Sequence, residues 1–321
     1  MTYVAAASRE TLRQRAAVLA AVRTFFAERG VLEVETPALS HSGVTDPVLE
    51  SVRAQAKSLG SNPLFLQTSP EFAMKRLLAT GSGDIYQICR VFRDDELGRW
   101  HQPEFTLLEW YRVGWDERQL MREVQALLET AMVAGGAHGE RRCVSIRYSD
   151  AVVAALGVPA EAPAAELAAR LGAAGIDVPA GLNHDELLDL AMATAVKSGF
   201  DASAFVFVHD YPASQAALAR VNPGNPPVAA RFEVFAEGIE LANGFHELAD
   251  AAEQRRRFES DLAKRRAANR DTPPLDEELL AALVAGLPDC AGVAVGLDRL
   301  VALVTGKTDV ASAMAFAHVR R

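Results

Sequence analysis

The chain is short of cysteine, short of basic residues relative to acidic ones, and without a long apolar run. Its 321 residues include three cysteines, Cys89, Cys143 and Cys290, far apart and with no CxxC spacing. That excludes a disulfide framework and a structural zinc site, and it predicts a reducing, cytoplasmic setting. Lys and Arg number 33 against 42 Asp and Glu, a formal net charge of -9. Such a chain has no cationic surplus with which to grip a long nucleic-acid backbone, although a local basic pocket is compatible with it. No apolar stretch reaches the ~20 residues of a membrane span. The best candidate, 279–304, is broken by Pro288, Asp289, Asp298 and Arg299. Arg9, Glu10, Arg13 and Arg15 interrupt the place where a signal peptide would carry its apolar core. Internal repeats are also missing. What remains is an ordinary globular composition, 50% hydrophobic and 23% charged.

Apolar spacing predicts an amphipathic helix over 8–29, with Leu12, Ala16, Leu19, Val22 and Phe26 on one face, and then a short strand ending at Pro37. A strand over 64–69 leads into a helix from Pro70 to Ala79. Strands over 85–93 and 105–113 flank a polar loop, and 116–134 returns to helical spacing. The alanine-rich segment 135–228 reads as a helical insertion with one strand near 205–208. Strands over 231–236 and 239–248, helices over 251–268 and 275–285, a Gly-rich strand at 292–295 and a last helix from Leu297 complete the pattern. Bunched strands with helices around them predict one α+β domain over 1–321, built on a central antiparallel sheet.

Strand parity puts Phe105, Leu107, Glu109, Tyr111 and Val113 on one face. Glu109 is then a carboxylate among apolar neighbours and needs a partner: a core arginine, or a cationic ligand group held beside Tyr111. Glu237-Gly238 fits a two-residue hairpin turn that pairs Phe235 with Glu240 and Glu233 with Ala242. Glu233 and Glu240 become diagonal neighbours on one face, either an exposed acidic face or a magnesium site shared with a nucleotide. Asn243-Gly244 predicts a bulge that re-aims Glu247. Around Gly292–Arg299 the glycines allow close approach to backbone, and Arg299 stands in the first turn of a helix, where only an anion makes a cation welcome. Arg93 ends a strand and is followed by Asp94, Asp95 and Glu96, any of which could neutralise it.

Three segments, in order, resemble the motifs of class II aminoacyl-tRNA synthetases: Phe25–Pro37, Val91–Glu96 with His101–Phe105, and Gly292–Leu300. Thr68-Ser69-Pro70-Glu71, Glu109-Trp110-Tyr111 and Glu240–Glu247 resemble the lysyl-tRNA synthetase branch. With the first-motif helix starting near residue 8, no anticodon-binding barrel is expected ahead of it. The chain is thus similar to the stand-alone paralogue family that activates (R)-β-lysine with ATP and joins it to a lysine of elongation factor P. The resemblance implies the class II catalytic fold, a homodimer packed through Leu19, Val22, Phe26 and the strand to Pro37, and no tRNA or membrane partner. It implies Arg93 and Arg299 as catalytic cations on the phosphate. ATP contacts would come from Arg93, Asp95, His101, Gln102, Phe105, Glu240, Leu241, Gly296 and Arg299, and magnesium would sit on Glu233 and Glu240. Lysine or β-lysine would be held by Gly43, Ser69, Glu71, Glu109, Tyr111, Asn243 and Glu247. Departures accompany this: Asp95 replaces the usual glutamate, with Glu96 next to it as a substitute. Gln102 replaces asparagine, and Ser69 and Ala294 replace alanine and glycine at the amino-acid end. The other readings are a tRNA-charging fragment, an ammonia-using asparagine synthetase of the same fold, and a regulatory paralogue without chemistry.

Overall fold

The computed structural model describes residues 5–137 and 139–318. Helix α1 (Arg9–Ala27) is capped by Ser8, whose hydroxyl accepts the Thr11 N–H, and is followed by the short strand β1 (Leu32–Glu33). Three brief strands, β2 (Leu39–Ser40), β3 (Arg53–Ala54) and β4 (Leu64–Leu66), make a small antiparallel sheet in the order β2-β4-β3. Helix α2 (Glu71–Ala79) leads to the long pair β5 (Ile85–Phe92) and β6 (Glu104–Val113) and then to α3 (Glu117–Ala134). The middle of the chain carries β7 (Arg142–Arg147), α4 (Tyr148–Leu156), α5 (Ala164–Ala173), α6 (His184–Ala191), β8 (Ala204–Pro212) and β9 (Val221–Asn222). The remainder is β10 (Val228–Ala236), β11 (Ile239–His246), α7 (Ala251–Ala267), α8 (Glu277–Gly286), β12 (Cys290–Gly296) and α9 (Leu297–Val304).

The main sheet runs β1-β5-β6-β12-β11-β10-β8-β7, with β9 alongside β10. Its centre is antiparallel as expected, but its two ends are parallel pairs, β1 with β5 and β7 with β8. Helices α1, α3 and α9 cover one face, where Phe26, Trp110, Leu128, Val295 and Leu300 close the largest core. Among the described residues no helix is long and apolar enough to cross a membrane.

Two expectations need correction. The segment 135–228 is more than a helical insertion with one strand: the strand expected near 205–208 forms as β8, but β7 pairs with it, both extend the main sheet, and α4–α6 close a second core over them through Tyr148, Leu167, Leu188 and Val208. Val22 and Phe26 are fully buried in the chain's own core, Phe26 stacked on Tyr86 at 4.4 Å, so they offer nothing to a second subunit.

One buried ion pair fixes α1 against the site-bearing half. The Asp298 carboxylate, at the start of α9, accepts from Arg15 on α1 and from the Thr106 N–H on β6 at 2.6 Å. Arg15 also donates to the Thr106 hydroxyl at 2.9 Å. Removing the arginine strands a buried carboxylate, so R15A is expected to lower unfolding stability by about 3 kcal/mol, measured by urea denaturation. A midpoint equal to the parent's would show the pair to be dispensable.

Candidate functional site

A cavity of about 800 Å³ opens on the face of the sheet opposite the main core. Its floor is the stretch where β6, β12 and β11 lie side by side, in the register Leu107–Gly296, Glu109–Ala294–Asn243 and Tyr111–Gly292–Phe245. Parity holds as the sequence predicts: Phe105, Leu107, Glu109 and Tyr111 all line the cavity. The small residues of β12 create the depth. A Cβ on Gly292 would stand 2.3 Å from the Tyr111 ring and 2.6 Å from Glu247 Oε1. Gly292 therefore makes room for two site side chains, where the sequence had implied close approach by a ligand.

The acidic end is built from α2, β6 and β11. Glu109 is buried and has no arginine; Ser69 donates to its Oε2 at 2.6 Å and Tyr111 to its Oε1 at 2.7 Å. Burial, reinforced by the Glu71 charge, pushes its carboxyl from the ordinary 4.5 up to about 8. Glu247 is equally deep, and burial pushes it up to about 7 against the pull of Lys75. Lys75, on α2, lies 2.6 Å from Glu71 Oε1 and 2.6 Å from Glu247 Oε2. Desolvation opposes its charge, yet the Glu247 and Glu71 carboxylates outweigh that and hold the ammonium above its ordinary range. Tyr111 is raised well above 10 by burial and by Glu109. Asn243 Oδ1, on β11, is buried without a hydrogen-bond partner. Gly43 closes this part of the wall: a Cβ there would meet Pro273 at 2.8 Å.

The cationic end lies toward Phe105. Arg93 stands with its guanidinium 5.1 Å from the Phe105 ring centroid, donates to the Thr68 carbonyl at 3.3 Å, and comes no closer than 3.8 Å to Glu96. Its neighbouring acids therefore do not neutralise it closely. Arg299 donates to the carbonyls of Trp100 at 3.0 Å and Glu240 at 2.8 Å and lies 3.8 Å from the Glu240 carboxylate. Burial and the nearby Arg299 charge lower His101. Gln102 is buried, and its Oε1 accepts the His318 N–H at 2.8 Å.

Of the expected site residues, all but Asp95 and Glu233 line the cavity. Asp95 sits at a left-handed turn with φ 61° and is exposed, while Glu96 lines the wall in its stead. Glu233 is buried against Arg231, which itself lines the cavity. The Glu237-Gly238 turn forms, with φ 52° and 73°, and Phe235 faces Glu240. Beyond it the register shifts: Leu241 is the extra residue, so Glu233 faces Asn243 and not Ala242. The bulge thus comes before Asn243-Gly244. Gly244 serves another purpose, since a Cβ there would meet the Phe232 ring at 2.5 Å. Glu240 remains the diagonal neighbour of Glu233 and, after burial and opposing Arg231, contributes to raising it. The expected two-carboxylate magnesium site is therefore not formed: Glu233, off the cavity wall, is neutralised by Arg231, and only Glu240 lines the wall, one carboxylate of the kind that can share magnesium with nucleotide phosphates.

Lys75 and Arg231 escaped the sequence analysis. Glu71 and Lys75 have the i,i+4 spacing of a common surface pair; the signal that Lys75 is interior is its place between the buried Met74 and Leu78.

The fold and this cavity define a class II synthetase domain. The chain matches the family model for class II tRNA synthetases (D, K and N) over residues 1–320, and it belongs to that family. More narrowly, it is 51% identical to an elongation factor P–(R)-β-lysine ligase of Vibrio vulnificus over 97% of this chain and 96% of that one. It is 49% identical to the Vibrio cholerae protein of the same name and 45% to that of Salmonella typhi, each over 98% of this chain and 97% of theirs.

The raised Glu109 has a measurable consequence. In the empty pocket it holds a proton at neutral pH, and an arriving ammonium favours the carboxylate, so binding expels that proton. Amino-acid binding should tighten as pH rises through 7 to 8. The empty protein has the opposite slope: a carboxyl raised in the folded state loses stability as pH climbs from the unfolded 4.5 toward 8. Calorimetry of lysine or β-lysine binding in two buffers of different ionisation enthalpy should show proton release near pH 7. E109Q should abolish most of it and weaken the amino acid about tenfold or more, with ATP affinity held within about twofold. Equal losses for both ligands would mark Glu109 as structural.

Proposed function

We propose that this chain is an elongation factor P–(R)-β-lysine ligase, activating (R)-β-lysine or lysine with ATP and passing it to a lysine of elongation factor P. The observation that carries this reading is a cavity with three carboxylates around one ammonium-sized end and two loosely paired arginines at the other. Whole-length identity of 45–51% to ligases of that name supports the choice of acceptor.

The mechanism uses no protein nucleophile, and Cys89, beside the site, is unsuited to be one, its thiol pushed up to about 12 by burial. Glu71, Glu109, Tyr111, Asn243 and Glu247 hold the amino groups, which aims the substrate carboxylate along the sheet toward Arg93. The adenine ring stacks between Phe105 and Arg299, with His101, Gln102, Leu241 and Gly296 around the nucleotide and Glu96 taking the contact expected of Asp95. A carboxylate oxygen bonds to the α-phosphorus as the bond to pyrophosphate breaks; Arg93 and Arg299 stabilise the charge that develops there. Glu240, on the cavity wall, would offer magnesium an oxygen, and the ion when bound would supply charge neutralisation on the phosphates. The unprotonated acceptor amine then bonds to the carbonyl carbon as AMP leaves, forming an amide.

R93A is expected to lower β-lysine-dependent ATP–pyrophosphate exchange about 100-fold or more; a loss within tenfold would remove Arg93 from this role. With ATP and radiolabelled β-lysine, label should appear on elongation factor P and not on total tRNA. Label on tRNA alone would favour a tRNA-charging enzyme, and an adenylate with no transfer would point to another acceptor.

A homodimer belongs to the same proposal. With Val22 and Phe26 internal, the second copy would cover the outer edge of β1, where Leu32 is 57% exposed, and Leu39 beyond it. Sedimentation at micromolar concentration is expected to show a dimer that L32D dissociates. An active parental monomer would refute this.

A further inference from the structure

The buried Lys75 is unexplained by the proposed chemistry, which needs carboxylates at the amino end and no protein cation there. A lysine inside a pocket for ammonium groups competes with the ligand unless it is part of the pocket's construction. Three observations separate it from an ordinary salt bridge. It is 2% exposed and shares its ammonium between two carboxylates on different elements, Glu71 on α2 and Glu247 after β11. Each contact occupies one oxygen, Oε1 of Glu71 and Oε2 of Glu247, and Glu247 Oε1 lies in the space that Gly292 leaves open. Both carboxylates line the cavity while Lys75 stays behind them.

We propose that Lys75 is a positioning residue for the substrate's amino end, which fixes where Glu71 and Glu247 present their second oxygens and sets how much positive charge the pocket accepts. The inference rests on the ligase reading for the identity of the ligand. The charges are Glu71, Glu109 and Glu247 against Lys75, three acids and one base, so the ionised pocket is short of two positive charges. A ligand with two ammonium groups supplies both. A mono-ammonium amino acid leaves one carboxylate to be protonated or unpaired, which disfavours its binding.

The groups facing Glu247 are Lys75 and Glu71 from α2, His246 from β11, and Tyr111, Glu109 and Cys290 from β6 and β12. Of these, Lys75 opposes protonation of Glu247 most strongly. Without it, Glu247 would protonate at higher pH, and neither carboxylate would be held in place.

The test is K75M and K75R, read by amino-acid-dependent ATP–pyrophosphate exchange from pH 6 to 9. The parent comes first: if it exchanges with neither β-lysine nor lysine, the ligase reading fails, independently of Lys75. With an active parent, K75M is expected to raise the KM for β-lysine about tenfold and leave the KM for ATP within about twofold. It should also move the low-pH loss of amino-acid binding to higher pH. K75R restores the charge but not the two 2.6 Å contacts, so it should recover the pH limb while the KM for β-lysine stays raised. A K75M enzyme with both KM values raised alike, or with parental KM and pH profile, would overturn the proposal. If K75M does not fold, K75R decides alone: parental KM in that variant would show Lys75 to be a structural cation and nothing more.

Discussion

A carboxylate removed from water must find positive charge, take up a proton or cost several kcal/mol. On one face of the central sheet Glu109 and Glu247 are buried, with Glu71 half-buried beside them, and a single lysine answers for two of the three, Glu71 and Glu247. The surrounding structure follows from that constraint. Ser69 and Tyr111 solvate Glu109 in place of water. Gly292 gives up its side chain so that Tyr111 and Glu247 can occupy the same depth. Helix α2, carrying both Glu71 and Lys75, packs on α8. The cluster is therefore an incomplete ionic core, open to a cationic ligand.

The sheet supplies what the ionic cluster alone lacks, a fixed distance to the other charges. Arg93 directly follows the last residue of β5 and Phe105 stands at β6's beginning; Tyr111 is near β6's end. Because the two ends share continuous, hydrogen-bonded strands, their separation cannot drift as it would across a loop. Asp298 ties the same strand to α1 and α9 through Thr106 and Arg15, so the cationic end is held from behind by a buried ion pair. In-line attack on phosphorus depends on such rigidity more than on any single contact.

Much of this was legible in the residues because it depends on local rules. Glu109 could be placed on a cavity-facing row by two-residue periodicity alone, and the Glu237-Gly238 turn by its chemistry. The register past that turn was not legible. The extra residue at Leu241 is set by how β11 packs between β10 and β12, which no local pattern encodes. Likewise β7, with Arg142 and Arg147 at its ends and no buried residue, carries no alternation strong enough to announce an edge strand, so its segment read as helical. Val22 and Phe26 mark a helix face as apolar without saying whose core it enters. Lys75 stayed hidden because its i,i+4 partner spacing is the same inside the protein as on its surface.

The separation of the acidic and cationic ends has a last consequence. From Phe105 to Glu109 is four residues of one strand, about 13 Å at the usual rise, with cations near one and anions around the other. The cavity is in effect a dipole. An amino acid with its carboxylate at one tip and its outermost ammonium at the other is a dipole along its length as well. Entering tail-first, it meets attraction at both ends; reversed, it meets repulsion at both. The field thus sorts orientation during diffusion, before any hydrogen bond forms, and a substrate amide that lacks the carboxylate would lose half of that guidance. Ionic strength then becomes a control on how often an encounter is productive, separate from how tightly the correctly seated ligand is held.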